Sequence, residues 1–292
     1  MEVLYEDNHL IIVSKRAGEI VQGDKTGDKP LSEMLKDWLK DKYAKPGNVF
    51  VGVTHRLDRP VSGLVVFAKT SKALSRLNEM FRTGQIKKTY WAITEERPAE
   101  EEGTLTHYIV RDGKSNRSRA YDKPKADGKK ATLRYHLLGC SARYSLLEVE
   151  LLTGRHHQIR VQMANMACPI WGDAKYNTAA VQDRRFRQIA LCAYKLEFIH
   201  PKTKKSMEFE IKPQGEGFAK IILEAIIEII MTTALGVIFA ILLIVVWLGI
   251  RYVKLLIATC KQAKIVDAMY TGANYDEFQV MKYLIARHIL NG

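Results

Sequence analysis

Apolar residues along the first two thirds of the chain fall into short runs separated by polar and glycine-containing stretches. Runs bounded in this way predict strands. They cover residues 10–13, 49–53, 64–68, 88–94, 131–138, 144–152, 196–199 and 207–211. Residues 88–94 also alternate, which would place Tyr90, Ala92 and Thr94 on one face and Trp91 and Ile93 on the other.

Two segments instead show helical spacing. Leu31, Met34, Leu35, Trp38 and Leu39 lie at i, i+3, i+4, i+7 and i+8, which predicts an amphipathic helix. Leu74, Leu77 and Phe81 indicate a second helix, and a third is expected to begin near Arg155. Mixed strands and helices with several antiparallel neighbours predict an α+β fold with a mixed, largely antiparallel sheet.

Residues 111–130 contain eight Lys or Arg and three Asp, together with several Gly, Ser and Asn. This composition predicts a loop. Two interpretations remain open at this point: a solvated connection, or an arm that contacts phosphates.

The composition changes after residue 213, so we expect a domain at 1–213 and a hydrophobic helical tail at 214–292. Residues 229–250 contain no charged side chain. As a helix they would be about 33 Å long, enough to cross a bilayer. A membrane segment at 229–250 is therefore predicted.

The net charge of the chain is +13, and residues 214–292 contribute only +1 of it, from seven basic and six acidic residues. Residues 1–213 therefore carry +12, which favours a polyanionic partner. The four cysteines are widely spaced and include no Cys-x-x-Cys pair, which fits a reducing compartment. The N-terminus shows no signal-peptide pattern, so a cytoplasmic location is expected, with membrane association through the tail.

The sequence His55-Arg56-Leu57-Asp58-Arg59-Pro60-Val61-Ser62-Gly63-Leu64 places one carboxylate between two arginines and between two apolar runs. Cationic neighbours would keep Asp58 ionised and oriented. On its own, the pattern also fits an ordinary solvated ion pair in a loop.

This stretch closely resembles the active-site motif of the RluA family of pseudouridine synthases. Three further matches follow in the expected order, at 86–90 (Ile-Lys-Lys-Thr-Tyr), 152–160 (Leu-Thr-Gly-Arg-His-His-Gln-Ile-Arg) and 198–201 (Phe-Ile-His-Pro). The chain departs at Val61, where many relatives carry Thr, and at Asn177, where Gly is common. The small RNA-binding domain that many relatives carry ahead of the catalytic one is expected to be missing.

The resemblance implies a catalytic role for Asp58, with Tyr90 stacking on the base and Arg155 paired with the carboxylate. An ordinary half-buried strand tyrosine is the alternative for Tyr90. RNA contacts are expected from Arg56, Arg59, Lys87, Lys88, His157 and Arg160. Adjacent histidines on a helix diverge by about 100° and lack further ligands at helical spacing, so we predict no metal site, and no cofactor either.

The resemblance therefore predicts an RNA pseudouridine synthase that acts on ribosomal or transfer RNA; the oligomeric state is left open. Two alternatives remain: an inactive RNA-binding protein on the same fold, and a membrane protein whose soluble part is regulatory. The predicted span also raises a conflict. Basic residues follow it, which would place its C-terminal side in the cytoplasm, where an RNA-modifying domain must also lie.

Overall fold

A computed structural model describes residues 1–141, 143–177, 188–215, 217–219 and 246–250 of the chain. The described strands are β1 (Glu2–Glu6), β2 (Leu10–Lys15), β3 (Gly52–Val53), β4 (Ser62–Ala68), β5 (Lys87–Thr94), β6 (Glu102–Asp112), β7 (Arg117–Tyr121), β8 (Lys129–Cys140), β9 (Ser145–Leu151), β10 (Leu191–Ile199) and β11 (Ser206–Glu210). The helices described from end to end are α1 (Leu31–Lys42), α2 (Ser71–Arg82) and α3 (Gln158–Asn165).

The strands form one sheet in the order β1-β2-β4-β10-β5-β9-β8-β6-β7, with β3 beside β4 and β11 beside β10. Of the described pairings, β4 with β10 is parallel and the others are antiparallel. This confirms the predicted mixed, largely antiparallel sheet.

Apolar side chains cover both faces of the sheet. On one face, Leu31, Leu35 and Leu39 of α1 pack with Ile159 and Met163 of α3 in the largest cluster. On the other face, α2 packs through a second set, Ala73, Leu77 and Met80. The predicted alternation in β5 is confirmed, because Tyr90 and Ala92 join the first cluster whereas Trp91 and Ile93 join a third.

Gly63 shows why β4 requires a glycine directly after the Asp58 loop. Its φ is +131°, and a Cβ there would lie 2.5 Å from the main-chain N and O of Ala193 in β10. A side chain would therefore collide with the backbone of the parallel partner strand. Gly63 allows β4 and β10 to approach closely where the Asp58 loop enters β4.

The prediction of a loop at 111–130 was wrong in part, since β6 and β7 form a hairpin there. The pairing runs from Tyr108 opposite Tyr121 to Asp112 opposite Arg117. The strand β7 ends the sheet, and charged side chains are common on such an edge because it needs little apolar burial. Its polar sequence therefore carried no strand signal.

Contacts divide the chain into two compact units, Met1–Glu228 and Ile229–Gly292. In the first unit, Phe218 is buried in the cluster that contains Trp171 and Tyr194. The predicted boundary at 213 stays a prediction. Most of the predicted membrane segment 229–250 lies outside the described residues. None of the helices described is long and apolar enough to cross a membrane.

Candidate active site

The loop that carries Asp58 connects β3 to β4 and is fixed by main-chain hydrogen bonds. The amide of Val61 donates to the carbonyl of Asp58 at 3.0 Å, which closes a turn. From outside the loop, Gly18 donates to the carbonyl of Arg59 at 2.8 Å, and Ile189 donates to that of Pro60 at 3.3 Å. The backbone next to Asp58 is thereby held from two sides.

A buried lysine also binds the main chain of this loop. Lys15, the last residue of β2, is 1% exposed, and its ammonium donates to the carbonyls of Val61 (2.6 Å), Arg59 (3.1 Å) and Arg16 (3.1 Å). Burial lowers the pKa of Lys15 to about 8. Three acceptors arranged around one ammonium satisfy all of its donors.

Asp58 is bound through one carboxylate oxygen by an arginine of α3. The Nη1 atom of Arg160 donates to Oδ2 of Asp58 at 3.1 Å. The other side of the guanidinium is bound by Asp173, with Nε–Oδ2 at 2.6 Å and Nη2–Oδ1 at 2.7 Å. Burial opposes ionisation of Arg160, but the bonds and charges of Asp173 and Asp58 outweigh it and raise its pKa. The bidentate pair fixes the plane of the guanidinium and so its direction toward Asp58.

Arg155 was expected to pair with Asp58, but in the structure the arginine that contacts Asp58 is Arg160. Arg155 lies before α3, and its Nε donates to the carbonyl of Lys130 at 3.0 Å on the surface. The helix α3 begins at Gln158, not near Arg155, and only from there does the chain turn an arginine toward the carboxylate. Arg160, predicted as an RNA contact, occupies the position expected of Arg155.

His157 also faces Asp58, with its Nε2 atom 3.6 Å from Oδ2. Its backbone has φ 53° and ψ 28°, in the left-handed region that non-glycine residues rarely adopt. The ring stacks on His156, and Nδ1 lies 2.8 Å from the hydroxyl of Tyr176. Burial and the charge of Arg160 lower the pKa of His157 to about 2, so the ring is neutral at physiological pH.

Both close partners of Asp58 therefore meet the same oxygen. Arg160 and His157 lie against Oδ2, whereas Oδ1 has no hydrogen bond from the residues that the structure describes. The side chain of Asp58 is 30% exposed, so a substrate can reach it. Within the described part of the chain, the arrangement anchors the carboxylate at one oxygen and leaves the other without a partner.

Tyr90 lies close enough to Asp58 for that charge to act on it. The residue is 5% exposed on β5, and burial followed by the charge of Asp58 raises the pKa of its phenol. The hydroxyl is therefore protonated at neutral pH. Lys88 lies on the same face of β5, with its ammonium 5.4 Å from the centre of the Phe81 ring, and burial lowers its pKa to about 8.

The remaining predicted RNA-contacting residues differ in whether their charges are already paired with acidic residues of the protein. Arg59 is bound by Asp28 at 2.6 Å and Asp24 at 3.4 Å, so its charge is already paired. Lys87 lies 3.5 Å from Glu197. Arg56 is exposed and forms no ion pair within the described residues.

The comparisons with known proteins identify the family of this chain. Residues 9–165, which include the Asp58 loop and the Arg160–Asp58 contact, match the RNA pseudouridylate synthase family model. The chain belongs to this family. It is accordingly a pseudouridine synthase, an isomerase, as the sequence predicted.

Relatives of known name extend the match beyond those residues. The synthase is 32% identical over 224 residues to tRNA pseudouridine synthase C of Vibrio cholerae, covering 71% of this chain and 88% of the relative. It is 33% identical over 218 residues to ribosomal large subunit pseudouridine synthase D of Zymomonas mobilis, covering 72% and 68%. The fold matches the human RNA pseudouridylate synthase domain containing 4, with a TM-score of 0.63, 22% identity and coverage of 76% and 92%.

Several residues of the synthase site had no predicted role. Lys15, Asp173, Tyr176 and Ser118 were not among the predicted site residues. Asp173 needs a cationic partner because it is buried, and that burial shows only in the structure. Tyr176 and Ser118 approach the site only through tertiary structure.

Proposed function

We propose that this synthase isomerises particular uridines of structured ribosomal or transfer RNA, with Asp58 as the catalytic carboxylate. The observation that carries the proposal is the anchoring of Asp58 by Oδ2 to Arg160, while no described residue forms a hydrogen bond to Oδ1. An oriented carboxylate with one open oxygen is suited to meet the positive charge that develops on a sugar carbon when a glycosidic bond breaks.

The reaction rearranges bonds without a change in mass. The bond from N1 of the base to C1′ of the ribose breaks, and a bond from C5 to C1′ forms. The hydrogen on C5 leaves to solvent, and N1 gains one. Asp58 acts at C1′, and Tyr90 stacks on the base with its phenol protonated. No electron is lost or gained overall, so the reaction needs no oxidant or reductant.

The RNA class is argued from charge and from the relatives. Residues 1–213 carry +12, which suits binding to phosphates. The two bacterial relatives are named for transfer RNA and for the large ribosomal subunit. A uridine in a helix or a closed loop must leave its stack to reach Asp58, which favours loops and bulges, where unstacking costs least.

The test uses a strain that lacks this gene, complemented with wild type or with Asp58→Asn. Pseudouridines in its total RNA are mapped by a pseudouridine-specific chemical label and sequencing. We expect at least one site that wild type restores and Asp58→Asn does not. A site restored equally by both variants would refute the role of Asp58. Absence of any lost site, together with retained RNA binding, would favour the inactive RNA-binding alternative.

A further inference from the structure

The ring of His157 is held by a hydrogen bond at one nitrogen, and its other nitrogen faces Oδ2 of Asp58, the oxygen that Arg160 also binds. The main-chain amide of Ser118 in β7 donates to the hydroxyl of Tyr176 at 2.7 Å. That hydroxyl lies 2.8 Å from Nδ1 of His157, and Nε2 of the same ring lies 3.6 Å from Oδ2 of Asp58. These contacts link the edge strand to the carboxylate.

We assign the direction of these bonds by directing the single phenolic hydrogen of Tyr176 to Nδ1 of His157. The hydroxyl of Tyr176 accepts from Ser118, so its single hydrogen is available to donate. Burial raises the pKa of this phenol, so the hydrogen is retained. Nδ1 of His157 is then the acceptor, and a neutral imidazole that accepts at Nδ1 carries its proton on Nε2.

The carboxylate gives an independent reason for the same tautomer. An unprotonated Nε2 would direct a lone pair at Oδ2 of Asp58, whereas a protonated one directs a positive N–H at it. The left-handed backbone of His157 supports this role, because strained residues persist where the surrounding structure fixes them and cluster at functional sites.

We propose that Tyr176 is a positioning residue of this synthase: it fixes His157 as the Nε2–H tautomer, which with Arg160 holds Oδ2 of Asp58 and leaves Oδ1 to react. The proposal rests on the proposed function of Asp58. Tyr176 itself need not touch the substrate. Its ring, whose centre lies 5.3 Å from the guanidinium carbon of Arg160, also packs beside the second support of the carboxylate.

The first test reads the tautomer directly and needs no RNA. The ¹⁵N shifts of the His157 ring are measured in the full chain, with wild type, Tyr176→Phe and the control Tyr194→Phe. Tyr194 donates its hydroxyl to Glu148 in another cluster, so the control removes the same group elsewhere. We expect the Nε2–H form in wild type and in the control, and loss of a single form in Tyr176→Phe. An Nδ1–H ring in wild type, or an unchanged ring in Tyr176→Phe, would overturn the proposal.

The second test is a double-mutant cycle on the rate. Release of tritium from RNA transcripts carrying [5-³H]uridine reports formation of the C5–C1′ bond. Tyr176→Phe should lower kcat by about tenfold with KM little changed, the scale expected when one support of a positioned group is lost. In the variant His157→Gln, the side-chain amide group can donate a hydrogen bond toward Asp58 without help from Tyr176. In that background Tyr176→Phe should therefore change kcat by less than about twofold.

The amide of Ser118 loses its acceptor in both backgrounds, so the cycle cancels that effect. Equal losses in the two backgrounds would show that Tyr176 does not act through His157 and would overturn the proposal. If no transcript released tritium with wild type, the proposed function would fail instead, and the ¹⁵N measurement would still decide the tautomer.

Discussion

The ammonium of Lys15 lies 2.6 Å from the carbonyl oxygen of Val61, three residues beyond Asp58 in the chain. Lys15 is the last residue of β2 and Val61 lies in the loop just before β4, and Lys15 is almost completely buried. A buried ammonium that binds main-chain carbonyls acts on loop geometry and does not need to meet the substrate. The position of the Asp58 carboxylate thus depends on a charge that solvent does not reach.

We expect Lys15→Met to lower both stability and rate. Methionine fills a similar volume but leaves the carbonyls of Arg59 and Val61 without this donor. Loss of a buried charged hydrogen bond costs about 1.5–3 kcal/mol. Urea unfolding measures this cost, and kcat should fall because the Asp58 loop loses its support. Lys36→Met on α1, where the lysine side chain is 37% exposed and pairs with Glu33, is the control. Equal losses in the two variants would contradict this role for Lys15.

The two arginines of the 152–160 motif make a second prediction. Arg160→Lys keeps a charge but loses the two-bond contact with Asp173, so the partner of Asp58 is misplaced. A shift of this kind costs about 100-fold in rate. Arg155→Lys, altered at a surface residue bonded to Lys130, should keep kcat within about threefold. Tritium release measures both rates, and a larger loss for Arg155→Lys would restore the pairing expected from the motif.

These two arginines show what the sequence could and could not predict. Strands on either side of Asp58 were predictable, because apolar runs bounded by turns carry a local signal. The choice between Arg155 and Arg160 was not, since it depends on a helix that begins only at Gln158. The contact of Tyr176 with His157 likewise depends on tertiary packing, 19 residues apart in the chain. The strand β7 was missed because an exposed edge needs few apolar residues.

The lowered pKa of His55 predicts how the free energy of unfolding depends on pH. Its Nε2 accepts a hydrogen bond from the amide of Val66 at 3.1 Å, and burial lowers its pKa to about 3. The unfolded chain binds a proton near the ordinary histidine pKa of about 6.5, whereas the folded chain does not until about pH 3. The contribution of neutral His55 to the free energy of unfolding is therefore complete above pH 6.5. It is lost as pH falls toward 3, by at most about 1.4 kcal/mol per pH unit.

His55→Gln should flatten this dependence, because the amide oxygen of glutamine can accept from Val66 without titrating. The free energy of unfolding is measured by urea at several pH values between 3 and 6.5. His136→Gln, altered at an exposed residue of β8, serves as the control and should follow wild type. An acid dependence that is identical in His55→Gln and wild type would exclude His55 as its source.

Arg111 tests whether the β6–β7 hairpin binds RNA. It lies opposite Ser118 in the pairing of the two strands, and its charge lowers the pKa of His156 after burial, so it lies near the site. Arg111 is exposed and forms no ion pair within the part of the chain that the structure describes. An unpaired guanidinium in this position is free to contact a phosphate, which fixes the position of the RNA without reading its sequence.

We therefore expect Arg111→Gln to weaken binding to all transcripts alike, raising KM with kcat unchanged. Loss of one phosphate contact should reduce the slope of log affinity against log salt by about 0.7–0.9. Arg97→Gln is the matched control, because Arg97 is also exposed but pairs with Glu101 at 3.1 Å. Filter binding of transcripts across salt concentrations gives both slopes. If Arg111→Gln left the slope unchanged, the hairpin would be a connection that solvent surrounds, the other interpretation that its composition allowed.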